Sequence, residues 1–71
     1  MKRTRILDST SISSIGYDEE KNTLEVKFIP AGTYHYFNVQ ASMYKALLKS
    51  HSKGEFVNKF IKPRYEYKKI N

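Results

Sequence analysis

The 71-residue chain has no cysteine and no tryptophan, and only three glycines and two prolines. Without cysteine there can be no disulfide, no thiolate nucleophile and no cysteine-based zinc site. No apolar run approaches the roughly 20 residues that span a bilayer. The basic start Met1-Lys2-Arg3-Thr4-Arg5-Ile6-Leu7-Asp8 lacks the apolar stretch of a signal peptide, so a cytoplasmic location is the expectation. A chain this short buries only about 60% of its unfolded surface, which makes a stability of a few kcal/mol the expectation.

The second half is also poor in acid. Residues 31–71 hold only Glu55 and Glu66 against Lys45, Lys49, Lys53, Lys59, Lys62, Arg64, Lys68 and Lys69. In residues 1–30, five cations (Lys2, Arg3, Arg5, Lys21, Lys27) balance five carboxylates (Asp8, Asp18, Glu19, Glu20, Glu25), so the whole net charge of +6 lies in the second half. A polarised basic surface attracts polyanions by neutralising phosphates and releasing counterions, although lysine-rich solvent faces are also common in small domains.

Residues 1–8 read as a basic arm before a domain of residues 9–71. Ser9 to Tyr17 carries Ile12, Ile15 and Tyr17 and reads as a first strand, followed by the polar turn Asp18-Glu19-Glu20-Lys21-Asn22. Leu24-Glu25-Val26-Lys27-Phe28 alternates strictly, the pattern of a half-buried strand. Thr33 to Phe37 is the next strand. Between them, Pro30-Ala31-Gly32 suits a type I turn closed by a glycine in the left-handed region. That three-residue loop sets Phe28 opposite Tyr34 and Val26 opposite Tyr36, whereas a two-residue loop sets Phe28 opposite His35.

From Gln40 the period becomes helical, with Met43, Tyr44, Leu47 and Leu48 on one side and Lys45 and Lys49 opposite. Ser52-Lys53-Gly54-Glu55 has the form of a capping box and opens a second helix with Phe56, Val57, Phe60 and Ile61 inward. Lys62-Pro63 ends it. Arg64 to Ile70 alternates again. The expected architecture is α+β: a three-stranded antiparallel meander followed by two helices (βββαα), with room for a short fourth strand at the C-terminus.

In order along the chain, Ser13-Ser14-Ile15-Gly16-Tyr17-Asp18, Leu24-x-Val26-x-Phe28, Tyr34-x-Tyr36, Val39 and Tyr44…Leu47-Leu48 resemble the KTSC domain. Ser52-x-Gly54-x-Phe56-x-Asn58…Ile61 and Tyr65 extend the likeness. This family is found at the C-terminus of some lysyl-tRNA synthetases and as free-standing small bacterial proteins. Gln40 departs from the pattern, which begins the first helix with proline. The resemblance implies a small α+β domain, suggests RNA binding, and carries over no catalytic residue.

Candidate chemistry is correspondingly non-catalytic. Tyr34 and Tyr36 are either a stacking platform for unpaired bases or rings packed beside Val26 and Phe28; the three-residue loop favours packing. The opposite face then carries His35 and Phe37 with Lys27. Lys59, Lys62, Arg64, Lys68 and Lys69 interleave with Tyr65 and Tyr67, charges for a backbone and rings for bases. His35 and His51 have no metal-ligand spacing, Asp18-Glu19-Glu20 reads as a solvated turn, and no serine sits in a nucleophile elbow, so no enzyme, metal or cofactor is expected. The expected function is binding of RNA or single-stranded nucleic acid by a monomer or weak dimer. Phosphates fall to Lys59, Lys62, Arg64, Lys68 and Lys69, and base contacts to Lys27, His35, Phe37 or Tyr65. The alternative is a protein-interaction module that docks on an acidic host or translation-related partner through a sheet edge or the Phe37 face.

Overall fold

Alternation of Leu24, Val26 and Phe28 with Glu25 and Lys27 places β3 (Thr23–Phe28) at the centre of a five-stranded antiparallel sheet. In a computed structural model that describes residues 1–71, the strands lie in the order β1 (Lys2–Arg5), β2 (Ile12–Asp18), β3, β4 (Gly32–Tyr36) and β5 (Tyr67–Lys69). Between β4 and β5 come α1 (Ala41–Lys49) and α2 (Lys53–Phe56), the latter running on into a wider i→i+5 turn over Val57–Ile61. The protein is thus α+β, with two strands beyond the expected meander.

One of these is β5, where a C-terminal strand had room. The other lies in the stretch 1–8, expected as an arm: Lys2–Arg5 pair with Tyr17–Ser14, and Ile6 N–H continues the ladder to Ser13 O at 2.9 Å. Backbone pairing needs no apolar alternation, so a Lys-Arg-Thr-Arg strand carries no sequence signal.

The core gathers the inner face of the sheet and one side of the helices. Ile12, Ile15, Leu24, Val26, Val39, Leu47, Val57 and Ile61 are fully buried. Ile12 and Ile15 reach the same face despite their odd spacing because a bulge at Ser13 separates the pairs Ile12–Phe28 and Ser14–Lys27. Tyr17 joins them, its ring stacked on Tyr44 of α1 at 4.9 Å, and its hydroxyl donates to Val39 O at 2.6 Å.

The β3–β4 register differs from the expected one by two residues: Phe28 faces Gly32 and Val26 faces Tyr34. The connecting loop is Ile29-Pro30-Ala31 with a cis Ile29–Pro30 peptide, and Gly32 belongs to the ladder instead of closing the turn. Gly32 adopts φ 113°, and a Cβ there would collide with the backbone of Asn71, which packs against it. Because the shift is even, every side chain keeps its expected face.

Ser52 accepts the Glu55 amide as cap of α2. The next turn is wider than an α-helix: Lys62 N–H bonds to Val57 O at 2.8 Å, five residues back. Val57 and Ile61 therefore share the buried side, and Phe60, expected inward, is turned out to 39% exposure.

Candidate nucleic-acid interface

The helices leave one end of the inner sheet face uncovered. There Phe28 ends β3, Tyr34 and Tyr36 come from β4, Tyr67 comes from β5, and Ile29 and Ala31 come from the hairpin loop. With Ser11 and Lys62 they line a groove of about 550 Å³. Strand alternation brings the tyrosines together: Tyr36 opposes Tyr67 across the β4–β5 ladder, and Tyr34 lies two residues from Tyr36 on the same face. Ring centroids are 5.7 Å apart for Tyr34–Tyr67, 5.9 Å for Tyr36–Tyr67 and 6.5 Å for Tyr34–Tyr36. Phe28 meets Tyr34 edge-on at 5.5 Å.

Exposure divides these rings. Tyr36 is 2% exposed and belongs to the core, Tyr34 is half-buried, and Tyr67 is 60% exposed. Burial, with the neighbouring phenols of Tyr34 and Tyr67, pushes the Tyr36 hydroxyl up to about 12, so it stays neutral at physiological pH. One lysine lines the groove, and a second lies across the ladder from one of its rings. Lys62 Nζ lies 4.9 Å from the centroid of the Phe28 ring. Lys69 pairs with Tyr34 across the ladder, and its Cε lies 3.4 Å from the place a Cβ on Gly32 would take. No carboxylate is among the lining residues.

No helix packs on the opposite face, where a charged row crosses the strands. Arg3, Gly16, Glu25, His35 and Lys68 are successive cross-strand partners from β1 to β5. Gly16 has no side chain in that row, and Arg3 passes over it: a Cβ there would come within 3.0 Å of Arg3 Cγ. Arg3 Nε donates to Glu25 Oε1 at 2.6 Å and its Nη2 to Oε2 at 3.2 Å, while His35 Nε2 lies 2.9 Å from Oε2. Hydrogen bonding to Arg3, helped by His35, holds the Glu25 carboxyl below the usual carboxylate range against the opposing effect of burial. The same contact raises Arg3.

The expected site residues therefore fall on different surfaces. Lys62 lines the groove, and Lys69 pairs with the groove residue Tyr34 without lining it. Lys27, His35 and Lys68 lie on the opposite face, and Phe37, which continues the β4 alternation there, is half-buried. His35 is engaged by Glu25 and is not a free base contact. Arg64 sits over Phe60 at 5.9 Å, Lys59 lies beside Phe56 and Phe60, and Tyr65 packs against the core. Tyr34 and Tyr36, weighed as platform or packing, divide the roles between them. Sequence reasoning named Tyr67 only as one of the interleaved rings and gave Phe28 no part in a site; the alternation of Tyr65-Glu66-Tyr67 against Tyr34-His35-Tyr36 was the available signal. Nothing local announced the Arg3–Glu25 pair.

These features define a small α+β domain built on one sheet, with a lysine-rimmed aromatic groove where its helices stop. The chain belongs to the KTSC domain family, whose model matches residues 8–65. It is 40% identical over 72 residues to an uncharacterized protein of Stutzerimonas stutzeri, covering 100% of both chains. It is 30% identical over 64 residues to a lysine–tRNA ligase of Nostoc punctiforme, covering 90% of this chain but only 11% of the ligase. A crystal structure of a KTSC domain protein from Yersinia pestis superposes with a TM-score of 0.93 at 34% identity, over 99% of this chain and 97% of that one.

Proposed function

We propose that this protein is a non-catalytic binding domain for RNA or other single-stranded nucleic acid, acting in the cytoplasm. The observation that carries the reading is the groove: partly exposed aromatic rings, the Lys62 cation and no lining carboxylate at one opening. Aromatic faces stack unpaired bases without regard to sequence, and cations beside them neutralise the backbone. Two further features support it: the charge surplus of residues 31–71, and the likeness to a segment of lysine–tRNA ligases. Lys59, Arg64 and Lys68 stand outside the groove and would act as additional phosphate contacts.

Titration of fluorescent single-stranded RNA against salt tests the reading. Binding at about 50 mM salt that weakens linearly with log salt is the expected result; no binding, or binding indifferent to salt, refutes it. A second reading has one observation in its favour: the outer edge of β1 is unpaired and carries Lys2, Arg3 and Arg5, which suits an acidic extended segment of a protein partner. Partners captured from nuclease-treated lysate and lost on Arg5→Pro, at a position whose amide faces the open edge, would favour that alternative.

A further inference from the structure

We infer that the groove holds one nucleotide of a single strand at a time: a pocket for one base and its phosphate, and not a track for successive bases. This rests on the nucleic-acid reading above and gives it a stoichiometry.

Four observations lead here. The groove's volume of about 550 Å³ lies within the range of pockets that enclose a single small molecule. Its aromatic surfaces are not equally available. Lys62 Nζ occupies a face of Phe28, and Tyr36 is 2% exposed, so neither offers a free face to a base. Tyr67, at 60% exposure, is the open ring, with half-buried Tyr34 beside it at 5.7 Å. One base entering between the hairpin loop and β5 meets Tyr67 and Tyr34 and fills the available stack.

The charges agree. Lys62 enters the groove from the end of α2, Lys69 stands across the ladder from Tyr34 outside the lining, and Ile29 and Ala31 give the hairpin side an apolar wall. An anion entering the groove therefore meets the Lys62 cation beside one aromatic centre, as a nucleoside monophosphate unit requires. No second aromatic site continues the path. Of the two other aromatic pairs, Tyr17–Tyr44 packs with the core, and Phe56–Phe60 belongs to the helix surface with Glu55 among its neighbours.

A nucleotide within a strand and a free mononucleotide share this chemistry, and oligomer length separates them. The experiment measures affinity for 5′-AMP, adenosine and A-oligomers of two, four and eight nucleotides by NMR titration of the tyrosine ring resonances, with wild type, Tyr67→Ala and Lys62→Gln. AMP is expected to shift the Tyr34 and Tyr67 resonances, and adenosine to bind at least tenfold more weakly. Longer oligomers gain affinity with an increasing salt slope as outlying lysines engage. The loss on Tyr67→Ala, about 5- to 150-fold for one base stack, should be the same for AMP and the octamer. Lys62→Gln should lower the salt slope by about one contact while leaving the ring stack intact.

A Tyr67→Ala loss that grows with oligomer length overturns the single-nucleotide pocket, since several bases then stack. Octamer binding with silent groove tyrosines and no AMP binding also overturns it but leaves nucleic-acid binding standing. Failure of every ligand at low salt removes both. Thermal unfolding of the variants controls for folding, and the exposure of Tyr67 and Lys62 leaves little core to lose.

Discussion

Removing a single oxygen from Tyr17 should weaken the whole domain. Its hydroxyl donates to Val39 O at 2.6 Å and lies 3.3 Å from Asn22 Oδ1, while Val39 N–H donates to Asn22 O at 2.8 Å. Val39 is fully buried, and Tyr17 is 6% exposed. These contacts tie β2 and the β2–β3 turn to the residue that leads into α1. Tyr17→Phe keeps the ring and its stack on Tyr44 but leaves the Val39 carbonyl without that donor. A buried acceptor deprived of its partner costs about 1–3 kcal/mol, here taken as ~2 kcal/mol. For a domain of this size each kcal/mol lowers Tm by roughly 4–8 °C, so a fall of about 8–16 °C is expected. Circular dichroism melts and urea titrations with unchanged m-value measure it, and hydrogen exchange should speed up at Val39. Tyr36→Phe is the control, because that ring is equally buried but lines the groove and anchors no loop carbonyl. A Tyr17→Phe melt within about 2 °C of wild type, or a larger loss for Tyr36→Phe, would refute the reasoning.

Tyr36→Ala removes a core ring and should cost about 3–5 kcal/mol, enough to unfold a domain this small, whereas Phe37→Ala should cost less and leave nucleotide binding at the groove unchanged in the titration. Glu25→Gln should flatten the acid limb of the stability curve. The folded carboxyl sits below its unfolded value of about 4.3, so its contribution is present above that pH and is lost as pH falls through the folded value. Wild type and variant should therefore converge in Tm between pH 7 and pH 3, and parallel curves would contradict the ion-pair account. Gly32→Ala should lower Tm and speed hydrogen exchange in Lys69–Asn71, since a methyl group at φ 113° meets the Asn71 backbone; unchanged exchange would show that β5 docks without that contact.

What was readable in the chain was local. The alternation of β3, the helical spacing of Met43, Tyr44 and Leu47, and the Ser52 cap each fix an element within a few residues. The faces of β4 survived a two-residue error in register because side chains alternate with period two. What was hidden depends on distant partners. Strand β1 is specified by β2 and by the space above Gly16, not by its own residues. The groove draws its lining from β3, β4, β5 and the end of α2, and Glu25 looked like a solvated strand residue until Arg3 and His35 were placed beside it. Phe60 was misplaced because ordinary helical spacing was extended through a turn that is not an ordinary helix.

That wide turn has a consequence for chain length. The i→i+5 bond from Lys62 to Val57 accommodates one residue more than an α-helical turn would, and this extra residue sets where Lys62 leaves the helix. The same residues wound as a regular α-helix would turn Phe60 toward the core and carry Lys62 away from the phenyl ring. A relative one residue shorter between Val57 and Ile61 would close a regular turn with its lysine still at the groove. Among otherwise similar sequences, a gap of a single position here would therefore mark domains that keep the charged gatepost without the wide turn.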